Sequence, residues 1–329
     1  MLTALHQQVR RTIRRHDLLP NGSRVLVGLS GGSDSVALTR LLVDLAEHGG
    51  FTVVGCAHLN HELRPLAARD ERFCEQFAAR MALPIQFAHG GVQSYAETHR
   101  VSIEEAARKI RYAFLIRAAE SLGADRIAVG HTRDDQAETV LMKLMRGAGP
   151  AGLAGIYPRR GAVIRPLLDV SRDELRDWLT SQSQDWVDDE TNGDLENPRN
   201  RVRLRVLPEL ALALGGDPKP AIARTAALSR ADGEWLEETA RQEFESLVQP
   251  LSGGVAFEAA ALARLPGPIE TRVLREALRQ IAGDREVTSD HVESAIGVRR
   301  GQAGGADIPG GRVELSRGLL VLLERKALP

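Results

Sequence analysis

The sequence predicts an α/β protein: a doubly wound, mostly parallel sheet followed by a smaller helical domain with a short β tail. Three observations carry that prediction. Short apolar runs rich in Val, Ile and Phe alternate with helix-like stretches through the first half of the chain. A glycine loop, Ser30-Gly31-Gly32-Ser33-Asp34-Ser35, joins the first of those runs to a long helical stretch. After Leu214 the alternation gives way to helical patterning, and the last residues return to glycine-separated apolar runs.

Taken in order, the residues before the first strand read as an amphipathic helix. RVLVGLS from Arg24, FTVVGCAHL from Phe51, PIQFAH from Pro84 and RIAVGH from Arg126 read as strands, and their near-continuous apolar character is that of parallel strands covered on both faces. AVIRPLL from Ala162 is a fifth apolar run. SVALTRLLVDLAEH, AARDERFCEQFAARM, SIEEAARKIRYAFLIRAAESLG and QAETVLMKLMRG lie between them as helices. Strand and helix in strict alternation imply the doubly wound arrangement. Gly215-Gly216-Asp217-Pro218-Lys219-Pro220 has the composition of a linker. The expected boundaries are 1–214 for the α/β domain, 221–300 for the helical domain and 301–329 for the β-like tail.

Composition narrows the function classes. The formal net charge is -1, so any nucleic-acid partner must be met by locally gathered positive charge. Cys56 and Cys74 are the only two cysteines, which excludes a disulfide framework and a four-cysteine zinc site and fits a reducing, cytoplasmic setting. No window approaches ~18 uninterrupted apolar residues, so no membrane span is expected. The first residues lack the apolar core of a signal peptide.

The glycine loop is built for an anion. Gly31 and Gly32 let the backbone turn sharply and come close to a ligand. The following helix offers unpaired N–H groups and the positive end of its dipole, and Ser30, Ser33 and Ser35 add hydroxyl donors. Asp34 stands where a P-loop would have a lysine, and it repels a phosphate unless a cation sits between them. Mg²⁺, held by one or two carboxylates plus phosphate oxygens, resolves that conflict. A plain strand–turn–helix with Asp34 as a helix cap is the bland alternative.

A second acidic string, Gly130-His131-Thr132-Arg133-Asp134-Asp135-Gln136-Ala137-Glu138, follows the fourth strand. Asp135 and Glu138 share a helix face and repel each other unless they hold a cation. A capping box with Asp135 as N-cap and Glu138 at N3 explains the same pair. Topology separates the two: if the first and fourth strands are neighbours, Asp34 and Asp135 face one crevice at the carboxyl ends of the strands.

Basic and polar clusters complete the inventory. Arg199, Arg201, Arg203 and Arg205 crowd into seven residues, and forked donors suit phosphate. On the helix from Ser102, Arg108 and Arg111 share a face that can reach a phosphate, while Glu104 and Glu105 are spaced to pair with Arg108 and Lys109. His58, Asn60, His61 and Arg64 follow the second strand and fit a substrate rim; the two histidines lack the further ligands that a zinc site needs.

Together these strings resemble one family. SGGSDS is the signature of the N-type ATP pyrophosphatases, the PP-loop enzymes, whose fold is adenine-nucleotide α-hydrolase-like. HLNHELR, SIEEAARKIRY, HTRDDQAETVLMKLMRGAG, IRPLLDVSRDEL and DWVDDETN with NPRNRVR make the chain similar to the tRNA(Ile)-lysidine synthases within that superfamily, over roughly residues 24 to 210. Thr132 stands where a second His is common, and Glu62 where Gly is common.

The resemblance implies a reaction. ATP adenylates the carbonyl oxygen on carbon 2 of the wobble cytidine in the CAU anticodon of an isoleucine tRNA, and the ε-amine of free L-lysine attacks that carbon and displaces AMP. It implies ATP and Mg²⁺ as cofactors, Asp34 and Asp135 at the metal or lysine site, Glu138 against the lysine or metal, and Arg111 and Arg203 on ATP or the activated intermediate. His58, Asn60, His61, Arg64, Arg108, Arg199, Arg201 and Arg205 are then expected on the substrate or tRNA, and a homodimer is expected from the family. Two other enzymes and a binder remain as alternatives: a PP-loop tRNA thiolase, for which the cysteines lack CxxC spacing; a small-molecule ligase, which needs no arginine cluster; and a non-enzymatic tRNA-binding protein, which needs no acids.

Overall fold

Each apolar run that meets a glycine or polar turn becomes a strand feeding a helix. The computed structural model describes residues 2–60, 67–188 and 193–325. Helix α1 (Ala4–Arg15) precedes β1 (Arg24–Gly28), α2 (Ser33–Gly49), β2 (Thr52–Asn60), α3 (Ala67–Arg80) and β3 (Ile85–His89). Then come α4 (Val92–His99), α5 (Ile103–Leu122), β4 (Arg126–Ala128), α6 (Arg133–Leu144), α7 (Pro150–Leu153), β5 (Arg159–Arg160) and β6 (Val163–Ile164). Helices α8 (Arg172–Ser181), α9 (Pro198–Arg201) and α10 (Leu207–Leu214) follow, with one π-helical turn, Val202–Val206, between the last two.

The six strands lie in the order β3-β2-β1-β4-β6-β5. All neighbours are parallel except the β5–β6 hairpin. The chain winds outward from β1 through β2 to β3, then returns to place β4 on the other flank of β1. First and fourth strands are therefore neighbours, and the winding reverses between them, which opens a crevice at their carboxyl ends.

Both sheet faces are covered, as continuous apolar strands require. Val25 and Val27 of β1 point into a core built with α1, α2 and α8, whereas Leu26 joins Phe114, Leu115, Ala118 and Ala119 of α5 on the other side. Two differences from expectation are local. Helix α4 was not foreseen; it is a short element that buries only Val92 and Ala96. The fifth apolar run yields just Val163–Ile164, because Arg165 turns back to bond the Pro158 carbonyl and Pro166 has no N–H to extend a ladder.

By compactness the chain divides into residues 1–230 and 231–329. Helix α11 (Lys219–Leu247) begins after the linker residues 215–218. The second unit holds β7 (Gln249–Leu251), β8 (Gly254–Glu258), α12 (Ala259–Leu262), α13 (Gly267–Ala282), α14 (Ser289–Arg299), β9 (Gly305–Ile308), β10 (Gly311–Ser316) and β11 (Leu319–Glu324). Its sheet is five-stranded and antiparallel, in the order β7-β8-β11-β10-β9, around Phe257, Val273, Leu274, Leu278, Val313, Leu320 and Leu322. Strands β7 and β8 fall inside the stretch expected to be helical. Ser252-Gly253, with Gly253 at φ +76°, closes them into a hairpin that the tail strand β11 then extends. Among the described residues no helix is long and apolar enough to cross a membrane.

Candidate active site

The Ser30–Ser35 loop closes on its own side chains. The Ser30 N–H donates to Ser35 Oγ at 3.1 Å, and the Ser35 hydroxyl donates to the Gly32 carbonyl at 3.0 Å. Helix α2 starts at Ser33 with Gly32 as its N-cap, so no side chain caps its free N–H groups. Gly31 sits at φ +89°, and a Cβ there would come within 3.3 Å of Cys74 Sγ and 3.5 Å of Val187 Cγ2. Val187 in turn donates its N–H to the Gly31 carbonyl at 2.9 Å. Gly31→Ala is expected to lower unfolding free energy by about 1–2 kcal/mol from the left-handed backbone alone; urea denaturation of the two proteins measures it.

The end of β4 meets this loop directly. A Cβ on Gly130 would stand 3.1 Å from the Asp34 carbonyl carbon and 3.2 Å from the Ser35 nitrogen. Helix α6 begins next, and its cap differs from the expected one. Thr132 is the N-cap, and Asp135 occupies N3 with Oδ2 accepting the Thr132 N–H at 2.7 Å and its hydroxyl at 3.0 Å. Glu138 has no capping duty. Capping therefore holds one oxygen of Asp135 and leaves the other to face the crevice.

That second oxygen, Asp135 Oδ1, accepts from Arg172 at 3.2 Å and Arg199 at 3.0 Å. Arg172 also donates Nε to Asp34 Oδ2 at 3.0 Å and lies 3.8 Å from Glu138 Oε1. Arg199 Nε donates to Glu138 Oε2 at 2.6 Å. Asp34 and Asp135 thus share one guanidinium across the β1–β4 crevice. Among these directly bonded groups, three carboxylates face two guanidiniums.

Burial pushes the Asp34 and Glu138 carboxyls above their ordinary range, with the arginines offsetting part of the rise. Burial acts on Asp135 in the same direction, but Arg172 and Arg199 outweigh it and hold that carboxyl below its usual value. Desolvation drives His131 down to about 3, so its ring is neutral. Arg165 Nε donates to His131 Nδ1 at 3.2 Å, which leaves the ring proton on Nε2.

The remaining sequence-predicted residues scatter around this centre. Arg203 belongs to the π-helical turn and feels the charges of Arg172, Glu138, Asp135 and Asp34; Arg205, on the same turn, is exposed. Arg201 donates to the carbonyls of Leu195 and Glu196, both at 2.9 Å, and ties its own turn together. Arg108 and Arg111 lie over the Tyr112 ring, 5.3 and 5.6 Å from its centroid. Of the two acid–base spacings on α5, Glu105–Lys109 forms an ion pair, at 2.9 Å. His58 is buried and donates Nδ1–H to the Leu29 carbonyl at 2.9 Å, fastening β2 to the base of the loop. Asn60 donates to Glu71, which His89 also contacts. His61, Glu62 and Arg64 lie outside the described residues.

Three participants, Arg172, Asp134 and Lys219, escaped the sequence, and Arg199, expected on the substrate or tRNA side, instead joins Arg172 in clamping the acids. Asp134 accepts the Arg172 N–H at 2.8 Å and the Lys219 ammonium at 2.7 Å. A signal for Arg172 exists: Ser171 and Glu174 form a capping box, so Arg172 is the first residue of α8, where a cation opposes the helix dipole and needs a carboxylate elsewhere. Among the described residues no group of three or more His, Cys, Asp or Glu is arranged to hold a metal. Two carboxylates beside a phosphate loop nevertheless fit Mg²⁺, which takes its other ligands from phosphate and water.

Comparison with known proteins adds kinship to this geometry. The PP-loop domain model matches residues 1–210. The chain is 36% identical over 323 residues to the tRNA(Ile)-lysidine synthase of Geobacter sulfurreducens, covering 97% of this chain and 67% of that protein. It is 32% identical over 342 residues to the tRNA(Ile)-lysidine synthase of Nostoc sp., covering 98% of this chain and 97% of that one. Others are longer: the chain spans 62% of the Parabacteroides distasonis relative and 64% of that from Clostridioides difficile. Among solved structures, the U34-tRNA thiolase NcsA of Methanococcus maripaludis, with its 4Fe–4S cluster, shares the fold at a TM-score of 0.55 and 21% identity, over 68% of this chain and 79% of that one.

Proposed function

The chain belongs to the tRNA(Ile)-lysidine synthase family of PP-loop proteins, and on that footing we propose that it uses ATP to join L-lysine to carbon 2 of the wobble cytidine in an isoleucine tRNA with a CAU anticodon. The cytosine O2 attacks the α-phosphate of ATP and pyrophosphate leaves. The lysine ε-amine then attacks carbon 2, and AMP leaves. The reaction needs a cradle for departing pyrophosphate, positive charge against the phosphates, and acids that receive an ammonium and let it become an amine.

The observation that carries this proposal is the convergence of Asp34, Asp135 and Glu138 with Arg172 and Arg199, beside an uncapped helix N-terminus at the β1–β4 switch point. Ser30, Gly31, Gly32, Ser33 and Ser35 with the α2 N–H groups are assigned to the pyrophosphate. Asp34 and Asp135 are assigned to Mg²⁺, which supplies Lewis-acid charge to the phosphates when bound. Glu138, whose carboxyl is raised by burial, is assigned to the incoming lysine. Arg203 and Arg111 are assigned to ATP and the activated base. Arg199, spent on Asp135 and Glu138, is assigned to holding that pair, and Arg108, Arg201, Arg205, His58, Asn60, His61 and Arg64 to the tRNA side. Residues 1–214 are then the catalytic domain, and residues 221–300 contribute tRNA binding in the cytoplasm.

The thiolase alternative meets a specific obstacle. Cys56 and Cys74 are both buried, and burial pushes each thiol up to about 12, so neither provides a thiolate. Incubation with ATP, Mg²⁺, radiolabelled lysine and a CAU-anticodon tRNA is expected to place label in the tRNA. Folded protein that transfers no lysine under these conditions refutes the proposal.

A further inference from the structure

Arg172 is the residue on which all the acids of the centre converge. Its side chain is 13% exposed and bonds Asp34 at 3.0 Å and Asp135 at 3.2 Å, with Glu138 at 3.8 Å. Its backbone N–H is taken by Asp134 at 2.8 Å, which fixes the start of α8 against the start of α6. A cation at the first position of a helix is disfavoured by the dipole. The carboxylates therefore hold it there, and it in turn neutralises acids whose charges would otherwise be buried together. Ser33 also donates to Asp34, Thr132 and Arg199 also donate to Asp135, and Arg199 donates to Glu138.

Ser33 and Thr132 hold the other oxygens of Asp34 and Asp135, so the two that Arg172 occupies, Asp34 Oδ2 and Asp135 Oδ1, are the ones left for a compact cation at the crevice. A guanidinium and such a cation cannot both hold them. We propose that Arg172 is the resident counter-ion of this centre: a positioning residue whose guanidinium keeps Asp34 and Asp135 together at the place a bound cation takes, and yields their oxygens when that cation binds. The displaced fork is matched to phosphate oxygens, so the exchange leaves both charges satisfied once nucleotide is present. Lysine at this position keeps the charge but, as a point charge, does not span two carboxylates in a fixed geometry.

This rests on the assignment of Asp34 and Asp135 as a cation site, and its test does not involve tRNA. Thermal unfolding of the full chain is followed while Mg²⁺ alone, or L-lysine alone, is titrated into the wild type, Arg172→Met and Arg172→Lys. Loss of the competing guanidinium is expected to lower the half-saturating Mg²⁺ concentration by at least about tenfold in Arg172→Met, with Arg172→Lys in between. The same gain for L-lysine instead of Mg²⁺ also supports the proposal and identifies the displacing cation as an ammonium. Identical midpoints in all three proteins for both cations overturn it. Should Arg172→Met not fold, the Arg172 Nε–H resonance of the wild type, assigned by its loss in Arg172→Lys, must move on cation addition; a signal that stays fixed overturns the proposal equally. A flat titration leaves lysine labelling of tRNA by the wild type untouched, and failed labelling leaves the titration untouched, so the two refutations are distinct.

Discussion

Asp34→Asn is expected to cut pyrophosphate release from ATP by at least about 10²–10³-fold while the protein stays folded. Stability should survive because Asp34 is one of three like charges crowded at the crevice, and burial already works against its ionised form. The amide keeps the shape of the carboxylate and can still accept from Arg172, now without the charge. Chemistry should not survive, because an amide oxygen is a poor ligand for a hard cation facing phosphate. A coupled pyrophosphate assay with tRNA and Mg²⁺-ATP, beside a thermal melt, separates the two effects. Release at the wild-type rate would remove Asp34 from the metal.

Arg199→Met carries the largest expected stability effect. Arg199 donates to Glu138 at 2.6 Å and to Asp135 at 3.0 Å, and the Glu138 side chain is only 3% exposed. Removing one partner of a buried pair leaves the other charge without compensation and costs about 3–5 kcal/mol. Arg172, at 3.8 Å from Glu138, is too far to replace a direct hydrogen bond. The double variant Arg199→Met/Glu138→Gln should recover a large part of the loss, because it removes the stranded charge as well. Urea denaturation of the single and double variants reads the coupling directly. Equal destabilisation in both would mean that the pair contributes through packing and not through charge.

How much of this was legible in the sequence depends on the range of the interaction. The strand–loop–helix around Asp34 was legible because glycines, serines and the apolar run beside them are adjacent in sequence. The shared crevice of Asp34 and Asp135 was legible through a rule of topology, once β1 and β4 were allowed to be neighbours. The clamp was not. Arg172 reaches Asp34 across 138 positions, and no periodicity encodes such a pairing. Arg199 looked like part of an undifferentiated basic run, since charge alone does not tell a guanidinium bound to protein from one left for phosphate. The cap was misassigned by one turn, because Thr132 and Asp135 satisfy the same S/T-x-x-acid spacing logic as the pair first considered. The β7–β8 hairpin was hidden by its length: three and five residues carry too little alternation to stand out between long helices.

The first turn of α6 has a consequence for how this protein can change. Asp134 is committed to α8 and Lys219, Asp135 to the two arginines, Gln136 to the backbone of Ala154 and Ile156, and Glu138 to Arg199. Helical geometry places each side chain about 100° from the next. Inserting or deleting one residue here would rotate all four commitments away from their partners in a single event, and a change of length in the adjoining 215–218 connection would disturb the one that Asp134 makes with Lys219. This single turn thus acts as a fixed point for indels, closed to drift in register.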